Sequence, residues 1–357
     1  MADEVELVAL ADPRPGAAVD LAGLVADWSP RATAYLDRVE MLARGRLDGV
    51  FDLTPAPLHG RVNRQILEAG AACFSEKPIA SSVGGADELL ALAAEHNLLL
   101  LCAPGDAVTS RFRWLKEFVA TAGLGRATLA VAHHADAGPA NWVEYTGDPT
   151  PFYREGVGPV FDHGVYRLHE MSMLLGPVQR VQAMGTIAMP RRRVRGGPLR
   201  GQTIEVTTPD HVLIHLEFAS GALGQLLASF GTLDTLAPWF ELHLERGVVT
   251  FGGKSWEMDA PVSVYRDDGE EGGWTLGVEV PGDAYGTVES GARHFLACLL
   301  GRETPILTAE HARHVLDVIL QAYASIEDGR AHETATTFET VPGEPVPVAR
   351  GAILSPP

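Results

Sequence analysis

The chain has 357 residues, 46% apolar and 21% charged, with a formal net charge of −18 from 28 basic and 46 acidic side chains. That length predicts two domains, each large enough for its own core. The acidic balance speaks against nucleic acid and anionic membrane as main partners, because both need a cationic face.

The first 105 residues alternate strand and helix. Glu6–Ala11 is an apolar run that stops at Asp12-Pro13. Residues 17–28 carry a helical pattern of Val19, Leu21, Leu24 and Val25. A short strand is predicted near Thr33–Leu36 and a helical turn over Val39–Ala43. Leu47–Leu53 is a clear strand closed by Thr54-Pro55. The next helix turns Val62, Ile66 and Leu67 inward and ends at Gly70, a natural terminator. Strands at Ala71–Ser75 and Leu98–Cys102 flank a helix at Ala86–Glu95. Strands separated by helices predict a parallel sheet with helical crossovers.

Beyond residue 125 the pattern becomes longer strands. Val181–Met189, Thr203–Phe218, Ala222–Ser229, Trp239–Leu244 and Val248–Phe251 show period-two alternation or β-rich composition. Ser220-Gly221 and Arg246-Gly247 read as hairpin turns, so this sheet is antiparallel. Two late helices are expected near 287–301 and 308–327. The run Arg191-Arg192-Arg193-Val194-Arg195 reads as a loop face, and Val341–Pro357 as an irregular tail. The fold class is therefore α/β: a Rossmann-like parallel sheet over 1–105, then an α+β domain over 106–340 with a large, mostly antiparallel open sheet.

Cys73, Cys102 and Cys298 form an odd set in apolar segments, which predicts buried free thiols. No apolar run approaches the roughly 20 residues of a membrane helix. The N-terminus is acidic and lacks signal-peptide order, so a cytoplasmic protein is expected.

Five stretches occur in a telling order: Ala11-Asp12-Pro13; Leu53-Thr54-Pro55 with Leu58-His59; Glu76-Lys77-Pro78; Gly156–Tyr166; and Leu174-Leu175-Gly176-Pro177-Val178. Together they resemble the glucose–fructose oxidoreductase / inositol dehydrogenase / MocA (Gfo/Idh/MocA) superfamily across nearly the whole chain. The resemblance implies a doubly wound nucleotide domain and a second domain whose open sheet carries substrate. It also implies hydride transfer between a nicotinamide and a carbinol or carbonyl carbon.

By that resemblance Lys77 faces the substrate oxygen, with a cis bond at the following proline. Its ammonium would steady an alkoxide. Tyr166 stands where many relatives place a histidine, which matches the tyrosine branch of the family. A phenol beside an ammonium can exchange a proton, because the phenolate gains a partner. Asp162, one helical turn earlier, would orient the substrate or the phenol. The cofactor side is expected at Asp12, Thr54, Pro55, His59, Glu76 and Lys77. Asp12 at a strand end suits ribose hydroxyls and so favours NAD, while Arg14 leaves NADP open. Substrate contacts are expected from His134, Trp142, Tyr153, Arg154 and His163. The histidines fit no compact metal motif, so no metal is expected. A homo-oligomer through the second domain's sheet is implied by the family.

One part of the family pattern does not appear. A relative opens with a strand and a Gly-(one)-Gly-(two)-Gly turn before the strand that ends at Asp12. Here only Met1–Val5 precede that strand. Without the first strand, two parallel strands lose their shared neighbour. Three explanations stand: an internal start, a shortened paralogue that no longer holds dinucleotide tightly, or Val5–Leu10 acting as the central strand. The expected activity is NAD(P)-linked oxidation of a secondary alcohol, or reduction of the ketone, on a sugar, cyclitol or related polar ring. The rivals are NAD-assisted glycoside cleavage or epimerisation without net redox, and a non-catalytic binding or scaffold subunit.

Overall fold

The computed structural model describes residues 4–44, 46–254 and 260–340. The predicted irregular tail, 341–357, lies outside the described residues. The chain divides into two compact units: Met1–Ala103 with Ala292–Ala309, and Pro104–Gly291 with Glu310–Pro357. The return of 292–309 to the first unit is a non-local feature that sequence reading placed in the second domain.

The first unit holds β1 (Ala9–Ala11), α1 (Ala17–Leu24), β2 (Thr33–Tyr35), α2 (Arg38–Arg44), β3 (Gly49–Asp52), α3 (His59–Glu68), β4 (Ala72–Ser75), α4 (Val83–Glu95) and β5 (Leu100–Cys102). β1 pairs with β2 in parallel, and β3, β4 and β5 form a separate parallel sheet. Among the described residues no strand joins β1 to β3. β1 has a strand on one edge only, which speaks against Val5–Leu10 as a central strand. Burial follows the pairing: β4 is wholly buried between two neighbours, whereas β1 and most of β3 are half-buried.

Local chemistry sets the helices. Val62, Ile66 and Leu67 of α3 face inward, and Gly70 ends the helix at φ 82°. The Ser82 hydroxyl caps α4 by accepting from the Gly85 N–H. Phe51 and Phe74 pack with Phe295 from the returning segment, at ring separations of 5.1–5.6 Å. Phe295 and Leu299 occupy the space a side chain at Gly49 would need.

The second unit begins with α5 (Ser110–Thr121), capped by the Thr109 hydroxyl. It continues with β6 (Ala127–Ala135), α6 (Val165–Leu175), β7 (Val178–Thr186), β8 (Arg191–Arg193), β9 (Thr203–Glu205), β10 (His211–Phe218), β11 (Leu223–Ser229), β12 (Phe240–Leu244), β13 (Gly247–Phe251), β14 (Val262–Arg266) and β15 (Gly273–Leu276). Then come α7 (Thr287–Leu299), over which the chain returns to the first unit, α8 (Ala309–Asp328) and β16 (His332–Glu333). Nine strands form one sheet in the order β15-β14-β13-β12-β6-β11-β10-β7-β16. Every pair is antiparallel except β6 with β11. Val212, Ile214 and Leu216 of β10 are buried, and Leu213 and His215 face solvent, as the alternation predicts.

Two expectations are corrected here. The single strand expected over 203–218 is two, β9 and β10, because the chain breaks around Thr207–Asp210. There the Asp210 carboxylate accepts the N–H groups of Ala188 and Met189 at 2.7 and 3.0 Å. The arginine run is not a loop face: Arg191–Arg193 form β8, and Arg192 is buried against Asp210 at 2.9 Å.

A cluster of three buried histidines, His169, His311 and His314, ties α6 and α8 together. The His314 Nε2 accepts the Val178 N–H at 2.9 Å, while Nδ1 faces the Thr336 carbonyl at 3.1 Å. That arrangement needs a neutral ring. Burial pushes His169 down to about 3 and His314 down to about 4, and holds His311 well below its ordinary range. These folded-state values lie below the unfolded value of about 6.5, so the unfolded chain takes up protons first. Stability is therefore fully present above about pH 6.5 and falls as pH drops toward 4. Denaturant titrations from pH 7 to pH 5 should show a loss approaching about 1.4 kcal/mol per pH unit for each histidine. His314→Asn should flatten that slope, and an unchanged slope would remove His314 from the account.

Candidate active site

In the first unit, three loops leave the C-terminal ends of parallel strands, where ligands of open α/β sheets bind. β1 ends at Asp12, whose carboxylate accepts from the Arg14 Nε and Nη2 at 3.0 and 2.8 Å. The Arg14 side chain holds the Asp12 carboxyl down to about 2. β3 ends in the buried Asp52, whose Oδ1 accepts the Thr54 N–H and hydroxyl at 3.0 and 2.6 Å. Pro55 beside it is exposed. β4 leads into Glu76-Lys77-Pro78, with a cis bond between Lys77 and Pro78. All three residues are half-buried, and the Glu76 carboxylate accepts the Lys77 N–H at 3.1 Å.

α3 fixes the last two of these loops. Its first residue, His59, is 1% exposed and lies between the carbonyls of Thr54 and Pro78. One turn on, the Asn63 Nδ2 donates to Ser75 Oγ at 2.8 Å and to the Ile79 carbonyl at 3.1 Å. His59 therefore holds loops inside the unit instead of presenting its ring outward as a cofactor contact. Asn63 and Asp52 escaped sequence reasoning. The i, i+4 spacing of Asn63 from His59 on an otherwise apolar face was the available signal.

In the second unit the expected substrate residues gather where β6 meets the segment before α6. Val160–Gly164 is a π-helical turn that runs directly into α6. Such wide turns occur mostly as single insertions in α-helices, frequently at functional sites. It brings His163 onto His134 of β6, with stacked rings 4.2 Å apart, and onto Trp142 at 5.8 Å. Tyr166 tilts against His134 at 5.7 Å. Asp162 Oδ2 lies 3.4 Å from His163 Nε2, and Asp136 Oδ1 lies 4.0 Å from Nδ1. The other Asp136 oxygen accepts the Trp142 indole N–H at 3.1 Å. Asp136 was missed in the sequence, although it directly follows a strand that carries two histidines.

Two expected substrate residues stand apart from this group. Tyr153 is fully buried: its hydroxyl accepts the Ala140 N–H at 3.0 Å, and its ring packs on Phe230 beneath Arg192. Burial pushes its phenol up to about 12. Tyr153 is a core residue, corrected from the ligand contact expected of it. Arg154, the next residue, is exposed. Among the described residues, no group of three His, Cys, Asp or Glu side chains is placed to hold a metal ion. None of the described helices is long and apolar enough to cross a membrane.

Residues 1–103 match the family model for the oxidoreductase family with an NAD-binding Rossmann fold, and residues 112–250 match the GFO/IDH/MocA C-terminal domain. The chain belongs to the Gfo/Idh/MocA oxidoreductase family. It is 28% identical over 158 residues to an uncharacterised oxidoreductase of Schizosaccharomyces pombe, a match that covers 43% of this chain and 41% of that relative. The fold resembles that of an NAD-binding oxidoreductase from Klebsiella pneumoniae, at 19% identity and a TM-score of 0.78, over 93% of this chain and 90% of the other. It also resembles levoglucosan dehydrogenase in complex with NADH and levoglucosan, at 17% identity and a TM-score of 0.77, over 93% and 90%. The cofactor class of this family member is NAD(P). The loops after β1, β3 and β4 fit that group. Among the described residues, no Gly-(one)-Gly-(two)-Gly turn links a strand of the first unit to a helix.

The Asp136 turn depends on Gly138, at φ 77°, whose N–H donates to Asp136 at 2.7 Å. A Cβ there would meet the Tyr153 hydroxyl at 2.6 Å and the Phe230 Cβ at 2.7 Å. Gly138→Ala should destabilise the protein by at least about 2 kcal/mol, from backbone strain and overpacking together. Thermal unfolding checks this, and a variant with an unchanged midpoint would contradict the packing described.

Proposed function

We propose that the protein is an NAD(P)-dependent dehydrogenase or reductase acting on a secondary alcohol or ketone of a sugar, cyclitol or related polar ring. The observation that supports this most is the fixed Glu76-Lys77-Pro78 turn at the end of β4, anchored by His59 and Asn63. A bound nicotinamide supplies hydride acceptance or donation. Lys77 steadies the negative charge that develops on the substrate oxygen. Tyr166 exchanges that oxygen's proton, and Asp162 orients the substrate or the phenol. Thr54, Pro55 and Glu76 line the cofactor side, and Asp12 holds ribose hydroxyls, which favours NAD over NADP. The ring column of His134, His163 and Trp142, bordered by Asp136 and Asp162, suits a polyhydroxylated ring: flat apolar faces beside hydrogen-bonding edges.

We further propose a homo-oligomer through the open face of the nine-stranded sheet. That face carries Met184, Leu213, Leu223, Trp274 and Leu276 to solvent, 42–74% exposed. Apolar side chains in such number on one sheet face mark an interaction surface.

A second reading is favoured by one observation, the split between β1–β2 and β3–β5. Two separate parallel sheets suit a binding or scaffold subunit. Titration with NAD and NADP, followed by fluorescence or calorimetry, separates the two. Saturable binding, tighter for NAD, is expected, and absence of binding by the full-length protein would favour the scaffold reading. In the active protein Lys77→Ala should lower turnover of the substrate polyol by at least about 10²-fold. Near-normal turnover in that variant would remove Lys77 from its assigned role.

A further inference from the structure

We propose that His59 carries a hydrogen on each ring nitrogen, and that this doubly donating ring is the positioning residue that staples the Thr54 turn to the Lys77-Pro78 turn. Nδ1 lies 2.6 Å from the Pro78 carbonyl oxygen, and Nε2 lies 2.6 Å from the Thr54 carbonyl oxygen. Carbonyl oxygens only accept, and a neutral imidazole has a single N–H. A neutral ring would therefore set one nitrogen lone pair against an oxygen lone pair, in a site that is 1% exposed. The doubly protonated ring satisfies both contacts, and both are short, as charge-assisted hydrogen bonds are.

Other buried histidines of the protein show the opposite arrangement. His314 receives the Val178 N–H on one nitrogen, and His294 receives the Ile306 N–H at 2.9 Å. Each of those rings is offered a donor, so each has a nitrogen that stays an acceptor. The two partners of His59, the Pro78 and Thr54 carbonyls, are not donors.

A buried cation needs a nearby anion. Asp52 supplies one. It is 2% exposed, and its Oδ1 holds the N–H and hydroxyl of Thr54, the residue whose carbonyl faces His59. Its Oδ2 accepts no hydrogen bond among the described residues. Glu76 and Lys77 are the other charged groups of this loop pair. The thiols of Cys73 and Cys102 are pushed up by burial and stay neutral. Asp52, Thr54, His59 and Pro78 thus form one chain of hydrogen bonds running from the end of β3 to the residue that follows Lys77. His59 touches neither substrate nor reacting atoms in this reading, and it acts through the placement of Lys77.

The bearing on turnover rests on the dehydrogenase reading above, while the protonation state of His59 does not. Two-bond proton–nitrogen correlation on the ¹⁵N-histidine-labelled full chain near neutral pH reads the state directly. His59 is assigned by triple resonance or by its loss in His59→Gln. Two N–H-type nitrogens on the His59 ring are expected, and a single neutral tautomer overturns the proposal even if the protein proves fully active. In the kinetic arm, His59→Gln and His59→Asn should lower kcat by about 10²-fold, because Lys77 is displaced, with KM for the polyol nearly unchanged. Equal loss in KM and none in kcat would also overturn it. Should the wild-type protein bind no dinucleotide, the dehydrogenase reading fails and the spectrum alone decides the state of His59.

Discussion

Two polar side chains on the inner face of α3, His59 and Asn63, hold the loops that follow β3 and β4. The reason is general. Loop carbonyls that turn inward lose water, and leaving one unmatched costs about 1–3 kcal/mol. Thr54, Pro78 and Ile79 each turn a carbonyl toward α3, and α3 answers with donors. The position of Lys77 along the unit follows from that match more than from the Glu-Lys-Pro tripeptide itself.

The same requirement organises the second unit. Arg192 is buried against Asp210 Oδ2, and the two Asp210 oxygens also collect the N–H groups of Ala188 and Met189. Arg167 lies 4.3 Å over the ring of Trp239, with Glu170 at 2.8 Å and Asp106 at 3.5 Å. Burial raises Glu170 well above its usual range and raises Asp106 as well. One buried guanidinium shared by the buried Glu170 and the half-buried Asp106 anchors α6 firmly. The π-helical turn above it is thereby held in place, and with it the column of His134, His163 and Trp142.

Much of this was legible in the residues. The alternation of apolar runs and helical faces located β1 to β5 and their helices within a few positions, because those signals are local. The ordered motifs pointed to the family. What the sequence concealed depends on distant partners. Tyr153 is core because Gly138 and Phe230 close over it. Arg192 looked like a solvated charge because Asp210 is eighteen residues away. The return of 292–309 to the first unit rests on Phe295 meeting Phe51 and Phe74, a contact no periodicity reveals. His59 read as a ligand contact because its motif fits one, and only the carbonyl of Pro78 shows which way the ring turns.

The wide turn over Val160–Gly164 carries a consequence for how this scaffold diversifies. An α-helix advances about 100° per residue. Removing one residue from the bulge would swing Asp162 and His163 around the axis relative to Tyr166, while α6 stayed seated on its buried arginine. A single-codon deletion or insertion at this place would thus re-aim Asp162 and His163 and repack the buried Val160, His163 and Gly164 with them. Length change in one turn therefore redirects side chains in a way that point substitution on a regular helix does not.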